Sequence, residues 1–136
     1  MKKRVVITGA SGLLGWHAEV RLHAANCAAK FKGDQEPFDI VAPSKDEYSN
    51  QDNLAAILEN SEVVLHFAGV NRGTDGVVEE ANPKIANALV DACKLVNVNP
   101  TIVYANSTHS DKDTPYGNSK RVQERCCLIL RTIMWI

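Results

Sequence analysis

Several side chains in this sequence have types and spacings suited to chemistry. Tyr116-Gly117-Asn118-Ser119-Lys120 places a phenol and an ammonium four residues apart. On a helix, positions i and i+4 share a face. An ammonium beside a phenol favours the phenolate and lowers the phenol's pKa. Tyr116 is therefore a candidate general acid for protonating a carbonyl oxygen during reduction. A surface Tyr and Lys one turn apart is the ordinary reading of the pair taken alone. Ser107 stands two residues past an apolar run that ends at Ala105. Ligands of parallel sheets lie beyond the carboxyl ends of strands, where a hydroxyl can hydrogen-bond a substrate carbonyl. A plain turn serine is the alternative, and Thr108 is a second candidate hydroxyl.

A third group is Thr8-Gly9-Ala10-Ser11-Gly12-Leu13-Leu14-Gly15, between an apolar run and a helical pattern. That context is the one a dinucleotide site requires. Gly9 would permit the tight turn, Gly12 the close approach of a pyrophosphate, and Gly15 the packing of helix on strand. Backbone N–H groups of Ser11, Gly12, Leu13 and Leu14 would then point at phosphates. A fourth group, His66-Phe67-Ala68-Gly69-Val70, ends another apolar run. The small residues there, Ala68 and Gly69, leave room for a cofactor to lie across the strand ends, with Val70 beside them as a further candidate contact. His66 lies within the apolar run and reads as a core histidine rather than a catalytic one.

The elements that must hold these groups alternate strand and helix. Strands are expected at Arg4–Thr8, Phe38–Ala42, Glu62–Ala68 and Thr101–Ala105. Helices are expected from Leu14 to about Lys30 and from Asn50 to Asn60. Another should be capped by Asn82, with Pro83 in its first turn, and run to about Val96; a last one should begin at Tyr116. The tail from Cys126 to Ile136 is almost wholly apolar. It reads either as more of that helix or as a strand over Leu128-Ile129-Leu130-Arg131. Such alternation predicts an α/β, Rossmann-like, doubly wound parallel sheet of four to five strands in three layers.

Composition narrows the classes. The 136 residues suit one domain, 45% are apolar and 23% charged, and 15 basic against 16 acidic residues leave −1. A chain so close to neutral has no field for wrapping nucleic acid or an anionic membrane. No apolar run reaches the roughly 18–20 residues that span a bilayer. Cys27, Cys93, Cys126 and Cys127 form no C-x-x-C pair and show no ligand spacing with the histidines, which predicts reduced thiols, no metal and a cytoplasmic protein.

Together the motifs resemble the extended short-chain dehydrogenase/reductase family, also called NAD-dependent epimerase/dehydratases. Thr8-Gly9-x-x-Gly12-x-x-Gly15 matches that family's cofactor signature, and Tyr116-x-x-x-Lys120 matches its catalytic pair. Ser107 sits where its catalytic Ser/Thr is expected. Ala68 and Gly69 match the segment against the cofactor's adenosine part, and Asn82 resembles an asparagine near the nicotinamide side. A narrower likeness, in His66 to Arg72 and Thr114 to Lys120, is to capsular polysaccharide reductases. These reduce a 4-keto deoxy sugar carried on a nucleotide, using NADPH. The resemblance implies hydride transfer to the sugar carbonyl carbon. Tyr116 would protonate the oxygen, Lys120 would hold the cofactor ribose and tune Tyr116, and Ser107 would orient the carbonyl. Epimerase or dehydratase chemistry, or a non-catalytic dinucleotide-binding remnant, are the alternatives.

Two departures from the family pattern stand out. An acidic residue normally reads the NAD ribose 2′-hydroxyl about 20 residues past the glycines. Here the second strand ends Val41-Ala42-Pro43-Ser44-Lys45. Lys45 facing a 2′-phosphate tilts the expectation to NADP(H), while Asp46 and Glu47 keep NAD(H) open. Extended members also continue well past the catalytic helix to build a substrate domain. This chain reads as 1–136 of dinucleotide-binding domain alone, as a truncated gene or excised fragment would. An open sheet edge would then invite self-association.

Overall fold

Apolar side chains on both faces mark a strand buried on both sides, and β1 (Lys3–Thr8) has them: Val5, Val6 and Ile7 are all buried. The structure is a computed structural model and describes residues 1–128, residue 130 and the backbone of 133–135. β1 pairs in parallel with β2 (Phe38–Val41) on one side and β3 (Val63–His66) on the other. β4 (Thr101–Tyr104) and β5 (Ile133–Trp135) continue the sheet, giving the order β2-β1-β3-β4-β5. Val5 stands beside Val63, Val64 beside Ile102, and Ile102 beside Ile133. The chain moves one way from β1 to β2, then crosses back to β3. The crevice at the carboxyl ends of β1 and β3 is thus the topological switch point, where such sheets bind ligands.

Helices cover the sheet unequally. Val6, Val64, Ile102 and Tyr104 pack with Leu54 and Leu58 of α3 (Gln51–Leu58), Leu89 and Cys93 of α4 (Asp75–Leu95), and Cys127 of α5 (Pro115–Leu128). By strand alternation Val5 and Ile7 point to the opposite face. There α1 (Leu13–Phe31) lies against β1 and β2. Its Asn26 is buried and bonds both the N–H and the carbonyl of Phe38, at 3.0 and 2.9 Å. On that second face Val63, Leu65 and Val103 are only half-buried. The three-layer, doubly wound parallel sheet matches the expectation, with five strands.

The elements differ from the expected ones in three places. α4 begins at Asp75, so Asn82 does not cap it and Pro83 lies inside it. Pro83 forfeits the ladder bond to Glu79. The helix persists because Val78, Asn82, Ala86 and Leu89, spaced three and four apart, are all buried. α2 (Lys45–Ser49) was not expected; a capping box of Ser44 and Glu47 starts it. In the tail, Leu128 ends α5, Leu130 lies in a turn and the strand forms at Ile133–Trp135. Of the two readings of the tail, the helix continues as far as Leu128, and a strand forms at Ile133–Trp135 rather than at Leu128–Arg131, of which Ile129 and Arg131 fall outside the described residues.

Candidate active site

The glycine turn is built by close backbone approach. Gly9 has φ +73°, in the left-handed region, and a Cβ there would lie 2.6 Å from the Ala68 nitrogen. A Cβ on Gly15 would lie 2.2 Å from the Gly9 carbonyl oxygen. The turn is thereby pressed between α1 and the chain leaving β3. Gly12 donates its N–H to the Gly9 carbonyl at 3.0 Å and is exposed. No side chain caps α1, and its first turn holds no acidic residue. The N–H groups of Leu13 and Leu14, in the first helical turn, therefore have no helical acceptor and suit an anion. Ser11 is exposed beside them, as are Leu13 and Leu14 themselves.

α5 carries the Tyr and Lys. Gly117 lets its first turn sit against a short 3-10 turn at Thr108–Asp111: a Cβ there would be 2.3 Å from the Lys112 carbonyl and 2.4 Å from that of His109. The Tyr116 ring meets the His109 ring edge-on, with centroids 6.1 Å apart. Lys120 is 8% exposed, and its Nζ lies 5.9 Å from the Tyr116 ring centroid and 5.1 Å from that of Tyr104. It donates to the Ala105 carbonyl at 3.2 Å and to Gln123 Oε1 at 3.3 Å. Burial lowers its pKa from the ordinary lysine value, with Cys127 opposing the shift.

A buried polar chain backs this helix. Thr8 Oγ1 lies 2.8 Å from His66 Nδ1, and His66 Nε2 lies 3.1 Å from Gln123 Nε2. His66 is fully enclosed, and burial, then the Lys120 charge, push its pKa down to about 3. It is the neutral core histidine that the apolar run implies. Asn82 is also fully buried. It accepts from the Val70 N–H at 2.7 Å, and donates to the Val70 carbonyl at 2.9 Å and to Ser119 Oγ at 3.0 Å. Its carboxamide thus clamps the segment after β3 to α5.

These parts meet at the carboxyl ends of the strands. A cleft of about 320 Å³ is lined by Gly12 and Leu14 of the glycine turn, Gly69 and Val70 after β3, and Tyr116 and Lys120 of α5. Asn106 also lines it, and its Oδ1 is buried with no partner among the described residues. Ser107 does not line the cleft; it is half-buried and its Oγ accepts from the His109 N–H at 3.2 Å. Thr108 is exposed in the 3-10 turn. Lys45 is exposed at the start of α2, just past β2, and likewise lies outside the cleft lining. Ala68 abuts Gly9 and bonds Thr8 through its N–H at 3.3 Å. Gln123 is the member the sequence reading missed; its signal was a polar residue three positions after Lys120. A larger depression, of about 750 Å³, lies at the amino ends of the strands beside Arg4, Asp39 and Glu62. It is remote from the switch point and from the Tyr and Lys.

The thiols are free among the described residues. Cys93 and Cys127 are buried, and burial pushes their pKa values up to about 11 and about 12, so both stay protonated at neutral pH.

The fold is a Rossmann-like α/β one with a five-stranded parallel sheet. No family model matches the sequence, and no curated protein does. Solved structures do match. One is dTDP-4-dehydrorhamnose reductase from Bacillus anthracis in complex with NADP, with TM-score 0.75 and 21% identity over 99% of this chain and 52% of that one. Another is UDP-glucuronic acid 4-epimerase from Bacillus cereus in complex with NAD, with TM-score 0.70 and 17% identity over 94% of this chain and 52% of that one. A third is the capsular polysaccharide assembling protein CapF from Staphylococcus aureus, with TM-score 0.63 and 20% identity over 97% of this chain and 33% of that one. At these identities the likeness is one of fold. The chain spans about half the length of the first two.

Proposed function

We propose that this chain is the cofactor-binding part of an NAD(P)H-dependent oxidoreductase acting on a nucleotide-linked 4-keto sugar. The observation that carries the reading is the single cleft lined by both the glycine turn and the Tyr116–Lys120 pair. The residues suit a dinucleotide. Gly12 leaves the turn open where a side chain would fill it, and the uncapped start of α1 offers N–H groups to phosphates. Gly9, Ser11, Leu13, Leu14 and Gly15 would form the phosphate turn, and Ala68, Gly69 and Val70 would line the adenosine side. When bound, a nicotinamide would supply the hydride.

Tyr116 would donate the proton to the sugar oxygen, and Lys120 would hold the ribose. Ser107 is proposed to orient the carbonyl: its Oγ accepts from the His109 N–H, and its own O–H can still donate to a substrate oxygen. Asn82 acts through Val70 as a support of the cleft wall. NADP(H) is favoured over NAD(H) by Lys45 and by the absence of an acid at the tip of β2. Surface polysaccharide synthesis in the cytoplasm is the proposed setting, with a sugar nucleotide and no nucleic acid or membrane as partner. Among the described residues no helix is long and apolar enough to cross a membrane. Sugar-nucleotide epimerisation or dehydration would use the same site. A binding module without turnover is the second reading, favoured by Ser107, which does not line the cleft.

Titration of the purified chain with NADPH and NADH, followed by nicotinamide fluorescence, tests the reading. Micromolar binding that Gly12→Asp abolishes is the expected result. Absence of binding to folded protein refutes it. Turnover of a 4-keto nucleotide sugar that Tyr116→Phe lowers by about 10²–10⁴-fold, with dinucleotide affinity retained, would separate the enzyme from the binding module.

A further inference from the structure

The proposed chemistry uses the Lys120 ammonium, and the interior of the fold holds that ammonium through one further residue. Gln123 is fully buried, one turn beyond Lys120 on α5. Its Oε1 lies 3.3 Å from Lys120 Nζ and 3.0 Å from the Tyr104 hydroxyl. An ammonium only donates, so the acceptor end of the carboxamide must face it. The Nε2 end then lies 3.3 Å from the Ala68 carbonyl and 3.1 Å from His66 Nε2. An amide NH2 only donates, so His66 Nε2 carries its lone pair and Nδ1 carries the proton. That Nδ1–H donates to Thr8 Oγ1, which also accepts from the Ala68 N–H.

We propose that Gln123 is a positioning residue for Lys120. It holds the ammonium at the cleft wall and, through His66, couples it to Thr8 at the root of the glycine turn. Both polar ends of its side chain are engaged, and burying a carboxamide without such partners would be costly. A residue serving only to fill space at this point would more cheaply be Leu or Met. The inference rests on the proposed role of Lys120 in the cleft. The titratable groups around this chain are His66 from β3, Tyr104 from β4, and Tyr116, Glu124 and Cys127 from α5.

The test uses the full chain with Gln123→Glu and Gln123→Met, read by nitrogen NMR of His66 and by the titration of the Lys120 side chain. A carboxylate cannot donate to His66 Nε2. Gln123→Glu should therefore place a proton on that nitrogen at neutral pH and move the Lys120 midpoint up. Gln123→Met removes the acceptor, so the Lys120 midpoint should fall and NADPH binding should weaken by about tenfold. A His66 Nε2 that stays unprotonated in Gln123→Glu, or a Lys120 midpoint unchanged in both variants, overturns the proposal. Should the unaltered chain bind no dinucleotide, the proposed function fails, and the His66 and Lys120 readings still decide the role of Gln123.

Discussion

Substituting Gly15 by Ala sets two effects against each other. Gly15 lies in the first turn of α1, where Ala is intrinsically the better helix former by about 1 kcal/mol. Against this, the new Cβ would lie 2.2 Å from the Gly9 carbonyl oxygen and 2.7 Å from both the Gly9 carbonyl carbon and the Ala10 Cα. All three are backbone atoms, so no rotamer change relieves the overlap. Real Cβ contacts essentially never fall below 3.0 Å, so α1 must move away from the turn by nearly an ångström. Overpacking of this kind costs about 1–3 kcal/mol, and a backbone-only clash belongs at the upper end. About 3 kcal/mol of strain less about 1 of propensity leaves a loss of about 2 kcal/mol. For a domain of this size that lowers Tm by roughly 6–10 °C. Thermal and urea unfolding followed by circular dichroism would measure it, with Gly76→Ala as the control, since a Cβ there meets nothing within 4 Å. An unchanged or raised Tm for Gly15→Ala would refute the close approach of α1 to the turn.

Three further outcomes are expected. His66 has a folded pKa of about 3 against an ordinary 6.5, so the unfolded chain binds its proton first as pH falls. Its effect is nil above about pH 6.5, and stability is lost from there down to about pH 3 at a slope approaching about 1.4 kcal/mol per pH unit. Urea midpoints at pH 7 and pH 5 should show this, and a His66→Gln variant should lose that part of the slope. Asn82→Ala strands the Val70 N–H and carbonyl, at a cost of about 2–3 kcal/mol in chemical denaturation; a cost below 0.5 kcal/mol would mean water takes over the clamp (about the size of an ordinary surface substitution). Size-exclusion chromatography over a range of concentrations should show self-association through an open edge of the sheet, and a monomer at every concentration would contradict it.

The legible parts of the sequence were those whose causes are local. Three apolar residues running into Thr8-Gly9 mark a strand and its turn, because only glycine reaches φ +73° cheaply. Tyr116 and Lys120 share a helix face by spacing alone, and the structure sets them on one cleft. What stayed hidden depends on tertiary contact. Pro83 reads as a helix start, yet four buried positions carry α4 straight through it. Ser44-Lys45-Asp46-Glu47 does hold a local signal for α2, the capping box, but a helix of five residues is too short to show an apolar period. Gln123 looked like one more polar residue on a polar helix. Only the fold brings His66, 57 positions earlier, within reach of its amide.

The two bonds between Asn82 and Val70 have a thermodynamic consequence for ligand capture. A carboxamide that satisfies both the N–H and the carbonyl of one residue does what the backbone of a neighbouring strand would do. The segment beyond β3 is held as though the sheet continued for one more residue. Fixing a residue's backbone costs roughly 1–2 kcal/mol of conformational entropy, and here folding has already met that cost at Val70. A ligand entering the cleft would meet a wall ordered in advance, so more of its contact energy would remain as affinity. Loosening Asn82 should accordingly weaken binding through the entropy of association, although Asn82 itself never lines the cleft.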